Sequence, residues 1–125
     1  MKVAEMMNKS IESVSAETSI NEIMKLMTKK MIRSVLVKPK DDSDGFGIVA
    51  VRDIFNKVLA KNVDPAKVNA AEVATKPVIC VRTDMDVTHL MSMMQSYNIA
   101  RVFVTDGTAI VGVVALMDFM RAAVK

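Results

Sequence analysis

The chain repeats itself. Val3–Lys38 aligns without a gap onto Ala70–Thr105, and after two extra residues in the first copy the register resumes at Phe46 onto Val111. Matched pairs run through the whole length: Ala4/Ala71, Glu5/Glu72, Val14/Val81, Met24/Met91, Met27/Met94, Ile32/Ile99, Val35/Val102, Val37/Val104, Gly47/Gly112, Val49/Val114, Ala50/Ala115 and Asp53/Asp118. The extra residues fall in the polar stretch Lys38–Gly45, where an insertion costs least. A unit of about sixty residues buries little surface by itself. Two such units, residues 1–62 and 63–125, are therefore expected to bury their sheets against each other around a pseudo-twofold axis, leaving two equivalent clefts.

Each copy reads as β-α-β-β-α behind a short helical lead-in, an α/β fold. In the first, Val3, Met6 and Met7 share one side of the lead-in, and Ser10–Val14 alternates like a strand. Ser19 with Glu22 has the spacing of a capping box, and Ile20, Ile23, Met24, Met27 and Met31 follow at helical spacing. Arg33–Val37 and Phe46–Val51 read as strands, the second apolar throughout and so expected to be buried on both faces. Asp53–Leu59 reads as a helix, and Asp64-Pro65 as a helix start in the join. In the second copy, Pro77–Val81 is the first strand and Asp86 or Asp84 caps the helix. Arg101–Thr105 and Ile110–Ala115 form a hairpin around Asp106-Gly107, and Asp118–Val124 is the last helix.

Composition narrows the function classes. Hydrophobic residues make up 51% and aromatics 4%, with 12 Met and no Trp, so the core is aliphatic. That is more Met than one small core needs. Met24, Met27, Met31, Met91, Met93, Met94, Met117 and Met120 fall on the helices; some pack in the core, and part is expected on a helical surface that pairs two copies. A net charge of +3 suits an anionic ligand and falls short of the basic stripe of a nucleic-acid binder. Cys80 stands alone, which excludes an intrachain disulfide and suits a reducing compartment; on its strand it is expected to be a small buried hydrophobe. The first residues lack a signal peptide's apolar run, and no apolar stretch is long enough to span a membrane, so a cytoplasmic protein is expected. His89 has no companion metal ligands, Asp41–Gly45 lacks the remainder of a calcium loop, and no Gly-Lys-Ser/Thr phosphate loop occurs. Nothing assembles a nucleophile with a base, so the chain is not expected to be an enzyme, and no cofactor is required.

Asp53 and Asp118 are the residues with chemistry to offer. Each follows a strand by a few positions and falls in a helix's first turn. There a carboxylate either caps orphan N–H groups or accepts hydrogen bonds from a diol. Gly47 and Gly112 open each strand, where a glycine permits close approach of a ligand or another backbone.

The doubled frame resembles a tandem cystathionine-β-synthase (CBS) domain pair, or Bateman module. The likeness rests on the Ala-Glu lead-ins, Thr75-Lys76-Pro77-Val78, the strands Ile32–Val37 and Ile99–Val104, and the two glycine-to-aspartate stretches. It covers essentially the whole chain. It implies a regulatory, energy-sensing module that binds an adenosyl ligand (AMP, ADP, ATP or S-adenosylmethionine), forms a homodimer through its helices, and signals to a partner or fused domain. By the same resemblance, Asp53 and Asp118 take the ribose hydroxyls. The Asp118 cleft would hold adenine with Asn8, Ser10, Ile11 and Ser13; the Asp53 cleft would use Thr75, Pro77, Val78 and Cys80. Phosphates would meet Arg33 and Ser34, with Arg52 beside them, in the Asp53 cleft and Arg101 in the other.

The sequence departs from the family pattern three residues before each aspartate, where Ala50 and Ala115 replace the usual Ser or Thr. One lost neutral hydrogen bond costs about 0.5–1.5 kcal/mol. The alternative function is therefore a structural dimerisation module with degenerate clefts. The Asp53 cleft, with Arg33, Arg52 and Thr75, is the stronger candidate of the two.

Overall fold

The lead-in residues decide how the chain divides in space. The computed structural model describes residues 1–125. Its elements in chain order are α1 (Val3–Met6), β1 (Ser13–Val14), α2 (Ile20–Lys30), β2 (Ser34–Val37), β3 (Gly47–Ala50) and α3 (Val51–Ile54). A π-helical turn (Phe55–Leu59) and a 3₁₀ turn (Pro65–Lys67) lead to α4 (Ala70–Val73), β4 (Cys80–Arg82), α5 (Val87–Ser96), β5 (Arg101–Thr105), β6 (Ile110–Ala115) and α6 (Leu116–Ala123). Two compact units result. One is contiguous, Glu12–Val78; the other is composite, joining Met1–Ile11 to Ile79–Lys125. The lead-in α1 thus belongs with the second repeat's strands, and α4 with the first repeat's.

In the contiguous unit β1 runs parallel to β2, and β2 antiparallel to β3, with Ser13 opposite Leu36 and Ser34 opposite Ala50. Helix α2 starts where Ser19, in extended conformation, accepts the Glu22 N–H on its hydroxyl at 3.1 Å. Its Ile20, Ile23 and Met27 are buried against Val35, Val37 and Val49. Ala70 and Val73 of α4 complete this core, and the Ala70 and Ala71 amides donate to the carbonyls of Thr18 and Ala16. Each fully buried aliphatic side chain contributes about 1.5–3 kcal/mol. The exchanged segment is therefore part of the unit's core.

The composite unit repeats the plan. β4 runs parallel to β5, and β5 antiparallel to β6, with Cys80 opposite Phe103 and Arg101 opposite Ala115. Val3 of α1 is fully buried with Leu90, Val102, Val104 and Val114. Its amide donates to the Met85 carbonyl at 2.8 Å. Asp86, and not Asp84, caps α5 by accepting the Thr88 N–H at 3.3 Å.

Several elements are shorter or differently faced than their sequence patterns imply. Ser10–Glu12 and Pro77–Ile79 are outside strands, leaving only Ser13–Val14 and Cys80–Arg82 in ladders. Cys80 is exposed rather than buried: Val81 is the inward residue of β4, and a period of two turns both its neighbours outward. Partial desolvation pushes the Cys80 thiol above its ordinary range, away from reactivity. β3 has one buried face, carrying Gly47 and Val49, while Ile48 and Ala50 are half-buried. Met31 leaves the apolar face of α2 because it caps the helix in the left-handed conformation (φ 55°), and it is 87% exposed. After α3 the helix widens into the π turn. Ile54 and Val58 stay buried, whereas Phe55 and Leu59 are exposed.

Candidate functional site around Asp53 and Asp118

The chain leaves β3 at Ala50 in extended conformation and turns into α3, which places Asp53 in the first turn. Asp53 Oδ2 accepts the Ala50 N–H at 2.9 Å. Asp118 repeats the geometry, its Oδ2 accepting the Ala115 N–H at 2.7 Å. This is half of a capping box. The other half needs a side-chain acceptor at the N-cap, and an alanine methyl has none. The capping role of each aspartate is therefore real, and it occupies one carboxylate oxygen.

The second oxygens differ. Asp53 Oδ1 lies 3.5 Å from the Thr75 hydroxyl, the outer limit of a hydrogen bond, and 3.7 Å from Lys57 Nζ. Asp118 Oδ1 is engaged by Arg121 Nη1 at 3.2 Å. Both carboxylates are largely shielded, with side chains 20% and 15% exposed. A shielded, acceptor-only oxygen with a rotatable hydroxyl beside it can accept from a polyhydroxyl ligand, and such charged hydrogen bonds contribute about 1.5–3 kcal/mol each.

Thr75 reaches Asp53 because it extends the sheet. The Thr75 N–H donates to the Ile48 carbonyl at 2.9 Å, and the Ile48 N–H donates back at 3.0 Å. Asn8 bridges Val113 in the same way in the composite unit. Its side chain, however, turns to its own segment, where Oδ1 accepts the Ser10 N–H at 2.9 Å. The two sites are thus related but unequal.

The remaining predicted residues divide as follows. Arg33 is exposed at the start of β2, and its carbonyl accepts the Val51 N–H at 3.1 Å, which holds it beside the start of α3. Ser34 pairs with Ala50, and Arg52 is exposed on α3 next to Asp53. Pro77, exposed, and Val78, half-buried, belong to the same contiguous unit. Arg101, opposite Ala115, belongs to the composite unit with Asn8, Ser10 and Ile11. Ser13 lies in the contiguous unit and Cys80 in the composite one. The exchange of segments stops at Ile11 and Val78, so the first strands stay with their own repeats.

The repeated glycines have a packing role. A Cβ on Gly112 would meet Met7 Sδ at 2.5 Å and Met7 Cβ at 3.0 Å. One on Gly47 would meet Ala74 Cβ at 3.0 Å and Lys76 Cγ at 3.1 Å. Both glycines accommodate the exchanged lead-in.

Sequence reasoning missed Lys57 and Arg121. Their spacing from Asp53 and Asp118, i+4 and i+3 on a helix, was the available signal. It also missed Lys76, whose Nζ binds both Asp44 carboxylate oxygens at 2.8 and 2.9 Å. That contact has no local signature. No group of three or more His, Cys, Asp and Glu side chains is placed to hold a metal ion, and no helix is long and apolar enough to cross a membrane.

Comparison with known proteins agrees with this architecture. The CBS domain family matches twice, at residues 3–60 and 70–125. Those matches keep each lead-in with its own repeat, whereas the compact units exchange them. An uncharacterized protein of Methanopyrus kandleri is 29% identical over 84% of the chain, and one of Methanocaldococcus jannaschii is 24% identical over 88%. The chain spans 53% and 60% of the length of these two relatives. Among solved structures, the hexameric CBS-CP12 protein from bloom-forming cyanobacteria is similar with a TM-score of 0.86. It is 26% identical, over 96% of this chain and 69% of that one. The CBS domain pair of protein MJ0100, solved with 5′-methylthioadenosine and S-adenosyl-L-methionine, is 30% identical with a TM-score of 0.78, over 98% of this chain and 94% of that one. The two matches account for nearly all of the sequence and both three-stranded sheets: the chain belongs to the CBS domain family, as a tandem pair.

Proposed function

We propose that this chain is a regulatory module that binds an adenosyl compound at the Asp53 site and passes that state to a partner or to a fused domain. The observation that carries the reading is the free edge of the Asp53 carboxylate. Oδ2 is fixed by the Ala50 amide, while Oδ1 faces the Thr75 hydroxyl with only a long ion pair to Lys57. A ribose diol supplies the donors this oxygen lacks. The MJ0100 pair, a relative of matching length, binds two adenosyl compounds, which supports the choice of ligand class. Arg33 and Arg52 are exposed on the same unit and favour an anionic group on the ligand, so AMP, ADP or ATP are candidates beside S-adenosylmethionine. The role is sensing rather than catalysis, and no cofactor is needed for it.

A thermal-shift series with AMP, ADP, ATP, S-adenosylmethionine and 5′-methylthioadenosine tests the proposal. Ligand at a hundred times its Kd stabilises by about 2.7 kcal/mol. A shift with at least one compound that disappears in Asp53→Ala is the expected result; no shift with any of them overturns the reading.

A second reading, a module that pairs copies of itself without a ligand, is favoured by α6. That helix has no buried residue, and Leu116, Met117 and Met120 are all exposed. A homodimer through helical faces is compatible with either reading. Sedimentation of the ligand-free protein, with Met120→Lys as the control, tests it.

A further inference from the structure

The contiguous unit carries a loop-to-lead-in ion pair for which the composite unit has no counterpart. The longer loop of the first repeat brings Asp44 to Lys76, and the ammonium meets both carboxylate oxygens at 2.8 and 2.9 Å. Neither side chain is freely solvated: 29% of Lys76 and 21% of Asp44 is exposed. The carboxylate is itself held from behind, Oδ2 accepting the Lys40 N–H at 3.0 Å and Oδ1 the Gly45 N–H at 2.9 Å. The aliphatic stem of Lys76 lies across Gly47, its Cγ and Cε within 3.3 Å of where a Cβ would stand. Lys76 directly follows Thr75, the residue that bridges to Ile48 and faces Asp53.

The composite unit shows what the segment is like without this contact. The equivalent of Lys76 is Lys9, which is exposed and makes no ion pair. The shorter hairpin turn there spends its carboxylate on itself, Asp106 Oδ1 accepting from the Thr108 and Ala109 amides at 2.9 Å each. No acid from that turn is left to hold the lead-in.

We infer that Asp44 and Lys76 form a positioning pair that pins the Thr75 segment to the edge of β3, so that the Thr75 hydroxyl stands ready beside Asp53 before any ligand arrives. Neither residue touches the ligand site directly; both act through Thr75. This inference rests on the proposed ligand site for its functional consequence, though the pinning itself does not. Preordering removes an entropic cost from binding and makes the Asp53 site the tighter of the two.

The test separates pinning from binding. In the full chain, hydrogen exchange at the Thr75 and Ile48 amides is measured without ligand for wild type, Asp44→Asn and Lys76→Met. The asparagine side chain retains an acceptor for the loop amides, and the methionine keeps an apolar stem over Gly47. Both variants are expected to exchange roughly two- to tenfold faster at these amides, with the amides of α2 unchanged. The double variant Asp44→Asn with Lys76→Met is expected to exchange no faster than either single variant, because the pair is already broken in each. Unchanged exchange in the single variants, or additive acceleration in the double variant, overturns the pinning. The affinity for the best adenosyl compound is then measured by calorimetry and is expected to fall by a similar factor in each single variant. Faster exchange with unchanged affinity overturns the positioning role. If wild type binds none of the compounds, the proposed function fails, and exchange alone still judges the pair.

Discussion

The Thr75 hydroxyl lies 3.5 Å from Asp53 Oδ1, so the segment that opens the second repeat meets the helix aspartate of the first. Removing that hydroxyl with Thr75→Val keeps the size of the side chain. Ligand affinity is expected to drop by about two- to tenfold, the worth of one neutral hydrogen bond. Calorimetric titration measures it, and an unchanged Kd would remove Thr75 from the site.

Asp53 serves the fold as well as the ligand. Asp53→Ala loses both carboxylate oxygens and should cost about 1 kcal/mol of stability through the lost cap. Asp53→Asn retains an acceptor for the Ala50 amide but loses the charge. It is expected to unfold in urea closer to wild type than the alanine variant does, while still losing the adenosyl-induced thermal shift. Equal destabilisation by both variants would mean that charge, not the hydrogen bond, holds the turn.

Ala50 and Ala115 sit at helix N-caps in extended conformation, with φ −107° and −122°, which a serine adopts without strain. Ala50→Ser would complete the capping box that Asp53 begins. It is expected to stabilise the chain by about 0.5–2 kcal/mol, read as a higher urea midpoint. The same substitution is expected to tighten nucleotide binding if the hydroxyl also meets the ligand.

Gly112→Ala forces a methyl against Met7 Sδ, which would stand 2.5 Å away. Overpacking of this kind costs about 1–3 kcal/mol. Shortening the opposing side chain with Met7→Ala should recover part of that loss, so the double-mutant cycle should show coupling. Additive effects would mean that the lead-in does not lie over β6 in solution.

Acid exposes the loop contacts. The Lys76 ammonium is the main cause that lowers Asp44 to about 2, with the Lys40 amide and Gly45 amide assisting. Asp106 is lowered to about 2 by the amides of Thr108 and Ala109 and the Thr108 hydroxyl. Both carboxyls lie below their unfolded value of about 3.9. Their contribution is therefore complete above about pH 4 and is lost as the pH falls toward 2. Urea midpoints measured across that window should decline, and Asp44→Asn should make the decline shallower.

Much of this arrangement was readable from local chemistry. Ser19, Asp86 and Asp106 act on amides two or three residues away, and each does what its spacing suggests. The repeat was legible because paired identities mark equivalent places in two sheets. Equivalence does not say which copy supplies the partner, however. The residues alone did not show that Met7 covers Gly112, and the resemblance to a known family was needed to put Thr75 with Asp53. The resemblance also assigns Ser13 to the Asp118 site and Cys80 to the Asp53 site, while the strand ladders keep each within its own repeat's sheet. Met31 misled because helical spacing continues past the point where the backbone turns left-handed. The Asp44–Lys76 contact joins residues far apart in sequence, and neither residue type nor spacing announces it.

The interleaving of the two units also orders events during synthesis. A chain is made from its N-terminal side onward, and domains fold as their residues become available. Everything the contiguous unit needs has been made once Val78 is added. The segment Met1–Ile11 is made before that unit yet finds its partners after it, because the Asn8 amide waits for the Val113 carbonyl and Val3 for the core around Val114. Closing the composite unit means pairing Met1–Ile11 with residues that follow the whole contiguous unit in sequence, the kind of distant contact that slows folding. A nascent chain with Val78 clear of the ribosome and Val113 not yet released should therefore display a folded first unit with Met1–Ile11 still unpartnered.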